Sequence, residues 1–226
     1  MNLEGKIVNF LGDSITEGAG VVDRANCRYD NVIAKNAKLA AVYNYGIGGT
    51  RLAHQQKASD SPRHDLCFCG RAHDLNPAAD LVVVYGGVND YLHGDAPIGE
   101  IGDTTPATFC GGVYYLMKLL KTNFIDKGKK VAFLTPARCH RPTQPHTEPS
   151  KNPRKGPDAQ PLSYYVEVIK KTGESFGIPV LDLYNELGLD PVDEEIRAKY
   201  TMDGLHFNDA GHAILAACVQ NFLERI

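Results

Sequence analysis

Five short aliphatic runs, at 6–11, 41–44, 80–85, 130–134 and 178–181, punctuate this chain, and the stretches between them carry apolar residues at helix-like spacing. Runs so brief and so rich in Val, Ile and Leu suit strands covered on both faces. Helices are expected between them over 29–39, 107–127, 162–176 and 209–225. Strands alternating with helices make a parallel sheet between two helical layers. The predicted class is therefore α/β, a three-layer α/β/α sandwich of about five parallel strands in the size range of flavodoxin-like folds.

With 226 residues the chain is sized for one sizeable core, and a single domain over 1–226 is expected. Two stretches read as loop insertions, near 51–76, which is polar and bears histidines, and near 136–161, which is dense in proline and charge. Each follows a predicted strand. Each can therefore rise from the carboxyl edge of the sheet, where open α/β folds bind ligands, as a functional lid or a disordered insertion, and the second reads as a lid or rim. A contact in a homo-oligomer is an alternative role for the second.

The formal charge of −3 has no long run of either sign, which gives no reason to expect nucleic acid or an anionic membrane as partner. A small-molecule substrate fits better. The apolar run after Lys6 is interrupted by Asn9, Gly12 and Asp13, so no signal peptide is read there and a cytoplasmic location is expected. Six scattered cysteines fit reduced thiols rather than a disulfide framework. Cys67, Cys69 and His73 raise a structural zinc site as an alternative, with Cys110 or Cys139 as fourth ligand. Their spacing is tighter than paired zinc cysteines adopt, so no metal is expected.

Four segments could carry chemistry. Gly12-Asp13-Ser14 directly follows the first strand, so the Ser14 hydroxyl faces the ligand crevice and its N–H can point at an anion. Asp13 reads as a cap bracing the turn; the whole tripeptide also fits a plain turn. Asp203-Gly204-Leu205-His206 brings a carboxylate and an imidazole within three residues, just before the last helix. The carboxylate can accept from Nδ1–H while Nε2 serves as the base that a serine hydroxyl needs, although such a pair also arises by chance in surface turns. His212 falls inside the start of the last helix and reads as a packed or capping residue.

Gly46-Ile47-Gly48-Gly49 and Gly86-Gly87-Val88-Asn89-Asp90 follow the second and third strands. The Asn89 amide, the N–H of Gly49 and the N–H of Ser14 together would make a three-donor oxyanion hole. Counting from Asn44 favours Gly49, and a slip of one residue would make it Gly48. The spacing is not that of a dinucleotide-binding G-x-G-x-x-G, and the chain lacks the G-x-S-x-G elbow of α/β-hydrolases.

Taken in order, these segments resemble the signature blocks of the SGNH hydrolases, the GDSL esterase and lipase family: Gly12-Asp13-Ser14-Ile15, the glycine of the Asn44–Gly49 segment, Gly87-Val88-Asn89-Asp90, and Asp203-Gly204-Leu205-His206. The resemblance runs from Gly12 to His212. It implies a flavodoxin-like fold, ester hydrolysis through an acyl-enzyme, and no cofactor or metal. It also implies Ser14 as nucleophile, His206 as base, Asp203 as its partner, and Gly49 and Asn89 as oxyanion donors.

Arg51, Tyr91, Arg138 and His140, with His54 and His93 near them, follow strands whose ends should line the crevice, and are candidate substrate contacts. No long apolar run in the loops suggests an acyl-chain channel. The expected substrate is a short-chain ester, an acetyl group on a carbohydrate. A lysophospholipase- or thioesterase-type lipase and a non-catalytic carbohydrate-binding module are the alternatives.

Overall fold

Leu81, Val82, Val83 and Val84 have wholly apolar side chains, Tyr85 adds a ring, and all five are buried. Successive side chains of a strand point to opposite faces, so such a run demands a cover on each. The computed structural model, which describes residues 1–142 and 159–226, supplies both. The run is β3 (Leu81–Tyr85), central in a sheet with β1 (Ile7–Gly12), β2 (Ala41–Gly46), β4 (Lys130–Leu134) and β5 (Val180–Leu181). All pairings are parallel, in the order β2-β1-β3-β4-β5.

The helices, in chain order, are α1 (Ser14–Glu17), α2 (Arg24–Cys27), α3 (Tyr29–Asn36), α4 (Phe68–Arg71), α5 (Val88–Leu92), α6 (Phe109–Asn123), α7 (Leu162–Phe176), α8 (Leu183–Glu186), α9 (Glu194–Tyr200) and α10 (Asp209–Arg225). Val82 and Val84 pack on one face with Phe109, Val113 and Leu116 of α6 and with Tyr165 and Ile169 of α7. Leu81, Val83 and Tyr85 pack on the other with Tyr29 and Ile33 of α3 and with Leu215 and Val219 of α10. Burying each such side chain contributes about 1.5–3 kcal/mol. The two cores thus hold the sheet between helical layers, and the α/β/α expectation is met.

Strand order places the site. The chain leaves β1 toward β2 on one side, and β3 lies on the other side of β1, so connections diverge at the carboxyl ends of β1 and β3 and open a crevice there. Register aligns the floor: Gly12 pairs with Gly46 on one side and with Tyr85 on the other. The buried guanidinium of Arg71 fastens this edge from below, donating to the carbonyls of Gly12 (3.1 Å) and Leu66 (2.8 Å) and to Thr50 Oγ1 (2.9 Å).

The bounds of α7 and α10 agree with the sequence expectation, and the other two predicted helices are shorter. The first ends at Asn36, where Lys38 takes a left-handed φ of 53° that a lysine gives no warning of. The second breaks at Phe124 into a single 3₁₀ turn, Ile125–Lys127, closed by Gly128. Of the two predicted insertions, 51–76 folds into short turns and α4, whereas 143–158, the bulk of the other, lies outside the described residues. Among the described residues no helix is long and apolar enough to cross a membrane.

Candidate active site

The first site element is a turn that cannot drift. Asp13 caps α1, its Oδ1 accepting the Ile15 N–H at 3.0 Å, and Gly18 ends the helix with a φ of 93°. A capped single turn fixes the direction of its first side chain, and that side chain is Ser14. Burial pushes the Asp13 carboxyl up to about 6, against the Ile15 hydrogen bond and the nearby His206. The Ser14 Oγ meets His206 Nε2 at 2.9 Å, across 192 residues of chain.

The turn bearing His206 is braced at both ends. Met202 N–H donates to the His206 carbonyl at 2.8 Å, Thr201 bridges Phe207 antiparallel, and Asn208 caps α10 by accepting from Gly211 N–H. Within it, Asp203 Oδ1 accepts the backbone N–H of Leu205 (3.1 Å) and of His206 (2.8 Å), while Oδ2 lies 2.9 Å from His206 Nδ1. An ionised carboxylate only accepts, so the proton sits on Nδ1 and the Nε2 lone pair faces Ser14. Arg141, which the sequence reading did not single out, donates to the same Oδ2. Burial alone would raise the Asp203 carboxyl. Hydrogen bonds from the His206 ring and backbone, with the charges of His206 and Arg141, overcome it and hold the group well below the usual carboxylate range.

Gly204 is what allows this turn. Its φ is +81°, and a Cβ there would overlap the carbonyl oxygen of His140, whose N–H donates to the Gly204 carbonyl at 2.9 Å. The left-handed backbone alone costs a side chain about 1–3 kcal/mol. Gly204→Ala is therefore expected to lose at least that much stability in urea denaturation. An unchanged midpoint would mean the turn is not under this constraint.

The candidate oxyanion donors are distinguished by what their N–H groups already bond. Gly48 N–H donates to Glu17 Oε2 at 2.7 Å and is spent. Among the described residues no hydrogen bond takes the N–H of Gly49 or of Ser14. Of the two glycine N–H groups, that of Gly49 is the one left open toward the cleft among the described residues. Asn89 uses one N–H on the Thr50 carbonyl (3.0 Å), and an amide nitrogen carries two. Ser14, Gly49, Asn89 and His206 line one cavity of about 660 Å³. A cluster of this kind can activate a hydroxyl, stabilise an oxyanion and return a proton.

The rest of the lining mixes charged and apolar side chains. Glu17 pairs with Arg63 on the 3₁₀ turn Pro62–Asp65, His64 lies close over Gly49, and His93 and Arg141 complete the rim. The turn belongs to the stretch near 51–76, read from the sequence as an insertion that could rise from the carboxyl edge of the sheet. Glu17 lies one helical turn from Ser14 on α1, a relation the sequence hides because a four-residue helix has no period to detect. Ala19, Leu92 and Leu205 are the apolar lining.

None of the four expected substrate contacts lines the cavity that holds Ser14 and His206. Arg51 is buried beneath the rim, with only 4% of its surface exposed, and Tyr91 is wholly buried against Tyr165. Arg138 stacks 4.1 Å over the Tyr184 ring and donates to the Tyr184 carbonyl, and His140 meets the site through its backbone N–H on Gly204. His54 lines a separate cavity of about 540 Å³. His212 is packed, as expected: Nδ1 accepts Tyr29 N–H at 3.2 Å, and burial lowers its pKa to about 4. Cys67 and Cys69 sit in the apolar core, where burial raises both thiols, and His73 is exposed. Among the described residues no group of three His, Cys, Asp or Glu side chains could hold a metal ion.

Comparison with known proteins bears on the same residues. The model of the GDSL-like lipase/acylhydrolase family matches residues 10–214, which include all four signature segments. Among curated proteins none matches the sequence. A crystal structure of a Lactobacillus plantarum protein is similar with a TM-score of 0.83 at 28% identity, over 98% of each chain. An aryl esterase of M. smegmatis gives 0.68 at 18% identity, over 97% of this chain and 99% of the other. An acetyl xylan esterase gives 0.62 at 22%, over 95% of this chain and 98% of the other. The last two likenesses are of fold.

Proposed function

Since this chain belongs to the GDSL-like lipase/acylhydrolase family, and is therefore a carboxylic ester hydrolase of the SGNH type, we propose that Ser14 is its nucleophile and that it removes short acyl groups, acetyl above all, from hydroxylated substrates such as carbohydrates. The observation that carries the assignment of roles is the unbroken chain from Ser14 Oγ through the His206 ring to Asp203, with both contacts at 2.9 Å.

Ser14 Oγ attacks the ester carbonyl carbon as its proton passes to His206 Nε2. The carbonyl oxygen, now negative, takes hydrogen bonds from Ser14 N–H, Gly49 N–H and the second N–H of Asn89. Asp203 stabilises the imidazolium through Nδ1–H. The C–O bond to the alcohol then breaks, the alcohol leaves with the proton from His206, and the acyl group stays on Ser14. Water, deprotonated by His206, attacks that ester in turn and frees the acid.

The choice of a short acyl group rests on the lining. Glu17, Arg63, His64 and Arg141 offer hydrogen bonds to hydroxyls, whereas among the described residues the apolar side chains of the lining are Ala19, Leu92 and Leu205, too few to make a channel for a long chain. A buried methylene contributes about 0.8 kcal/mol, close to fourfold in affinity, wherever a channel receives it. An acetyl xylan esterase has this fold, so the fold accommodates such an ester. kcat/KM is expected to fall from p-nitrophenyl acetate through the butyrate to the octanoate, and acetylated sugars are expected to be turned over. A steady rise with chain length would replace this reading by that of a lipase.

A further inference from the structure

An amide helps an oxyanion only if its nitrogen end faces it. Turned by half a revolution, Asn89 would present a carbonyl lone pair to the developing negative charge, and a donor would become a source of repulsion. Free rotation of a side-chain amide offers both states, so something must select one.

Three contacts make the selection. Asn89 Nδ2 donates to the Thr50 carbonyl at 3.0 Å, Asn89 Oδ1 lies 3.1 Å from His93 Nε2, and His93 Nδ1 lies 3.2 Å from Arg51 Nη1. A guanidinium has no acceptor, so His93 Nδ1 must be the accepting nitrogen and the ring proton must sit on Nε2. That proton is then donated to Asn89 Oδ1. Rotating the amide would set its NH₂ against the Nε2–H and its oxygen against the Thr50 carbonyl, two like-with-like encounters in place of two hydrogen bonds. Arg51 is itself held: Nη2 donates to Ser59 Oγ at 2.9 Å and approaches Asp65 Oδ1 at 3.4 Å.

We infer that Arg51 and His93 are positioning residues, a donor relay whose work is to keep the NH₂ of Asn89 turned into the catalytic cleft. The inference rests on the proposed role of Asn89 as an oxyanion donor. It gives Arg51 a function two removes from the substrate, and it gives His93, which lines the cleft, a function other than touching the substrate.

The test is a double-mutant cycle on p-nitrophenyl acetate, with kcat and KM measured for the wild type, His93→Ala, His93→Gln, Asn89→Ala and the His93→Ala/Asn89→Ala pair. Deleting an oxyanion donor costs about 10²–10³ in kcat, so releasing one to rotate is expected to cost about 10–100-fold, with KM within about twofold. His93→Gln, whose amide N–H reaches about as far as Nε2, is expected to restore most of the loss. In the Asn89→Ala background His93→Ala is expected to change kcat by less than about threefold, because nothing remains to be oriented. If the two losses multiply instead, or if Gln is as poor as Ala, the relay is overturned while the oxyanion assignment stands. If Asn89→Ala leaves kcat unchanged, the oxyanion assignment itself fails and the relay with it. His93→Phe, which keeps the volume without the hydrogen bonds, replaces His93→Ala in the cycle should the latter fail to fold.

Discussion

Ser14→Ala is expected to lower kcat for p-nitrophenyl acetate by about 10⁴–10⁶ while leaving the protein folded. The magnitude follows from what the hydroxyl does: without it no acyl-enzyme can form, and only direct attack by water remains. The three oxyanion donors survive the substitution, so some acceleration over the uncatalysed reaction should persist, on the order of 10³. Stability should hardly change. Among the described residues the Ser14 side chain has one hydrogen-bond partner, His206 Nε2, and the net worth of such a hydrogen bond is about 1 kcal/mol. Equal rates in the variant and the wild type, with matching thermal transitions, would remove Ser14 from the reaction and with it the mechanism proposed.

How much of this was legible in the sequence depended on whether a signal was local. The bounds of α7 and α10 could be read because each runs for four turns of amphipathic spacing between recognisable ends, Pro161 and Gly177 for one and Asn208 for the other. The helices that hold Ser14 and Asn89 could not, since α1 and α5 are four and five residues long and a single turn has no period to detect. That omission had a cost. On a helix, side chains two apart diverge and side chains four apart share a face. With Asn89 facing the cleft, Tyr91 must turn into the core and His93 must return to the cleft, yet without α5 the two looked equally placed. Arg51 was expected at the substrate because it follows β2, but its guanidinium is drawn under the rim by Ser59, Asp65 and His93. Arg141 gave no local sign at all. It stands 62 residues from Asp203, and only the fold brings them together.

The Arg141 contact sharpens what should happen on replacing Asp203 by Asn. Asp203 Oδ1 already accepts two backbone N–H groups, so the oxygen of the new amide will be held there, and its NH₂ will face His206 Nδ1. Nδ1 must then accept, the ring proton moves to Nε2, and the imidazole presents to Ser14 a proton in place of a lone pair. A tautomer fault of this kind costs about 10⁴ in kcat with the geometry intact, and the same is expected here for the p-nitrophenyl acetate reaction. A second readout is pH. The Asp203 carboxyl is held below its ordinary value of 3.8, so its contribution to stability is complete above that value and is lost as pH falls through the lower folded value. The wild type should therefore exceed Asp203→Asn in thermal stability at neutral pH, where the variant also leaves Arg141 without its carboxylate. The gap should narrow as pH falls below about 4. A gap that stayed constant down to the acid limit would mean that the carboxylate is not the group stabilised by His206 and Arg141. A kcat unchanged by the substitution would mean that the His206 tautomer is fixed by something other than Asp203.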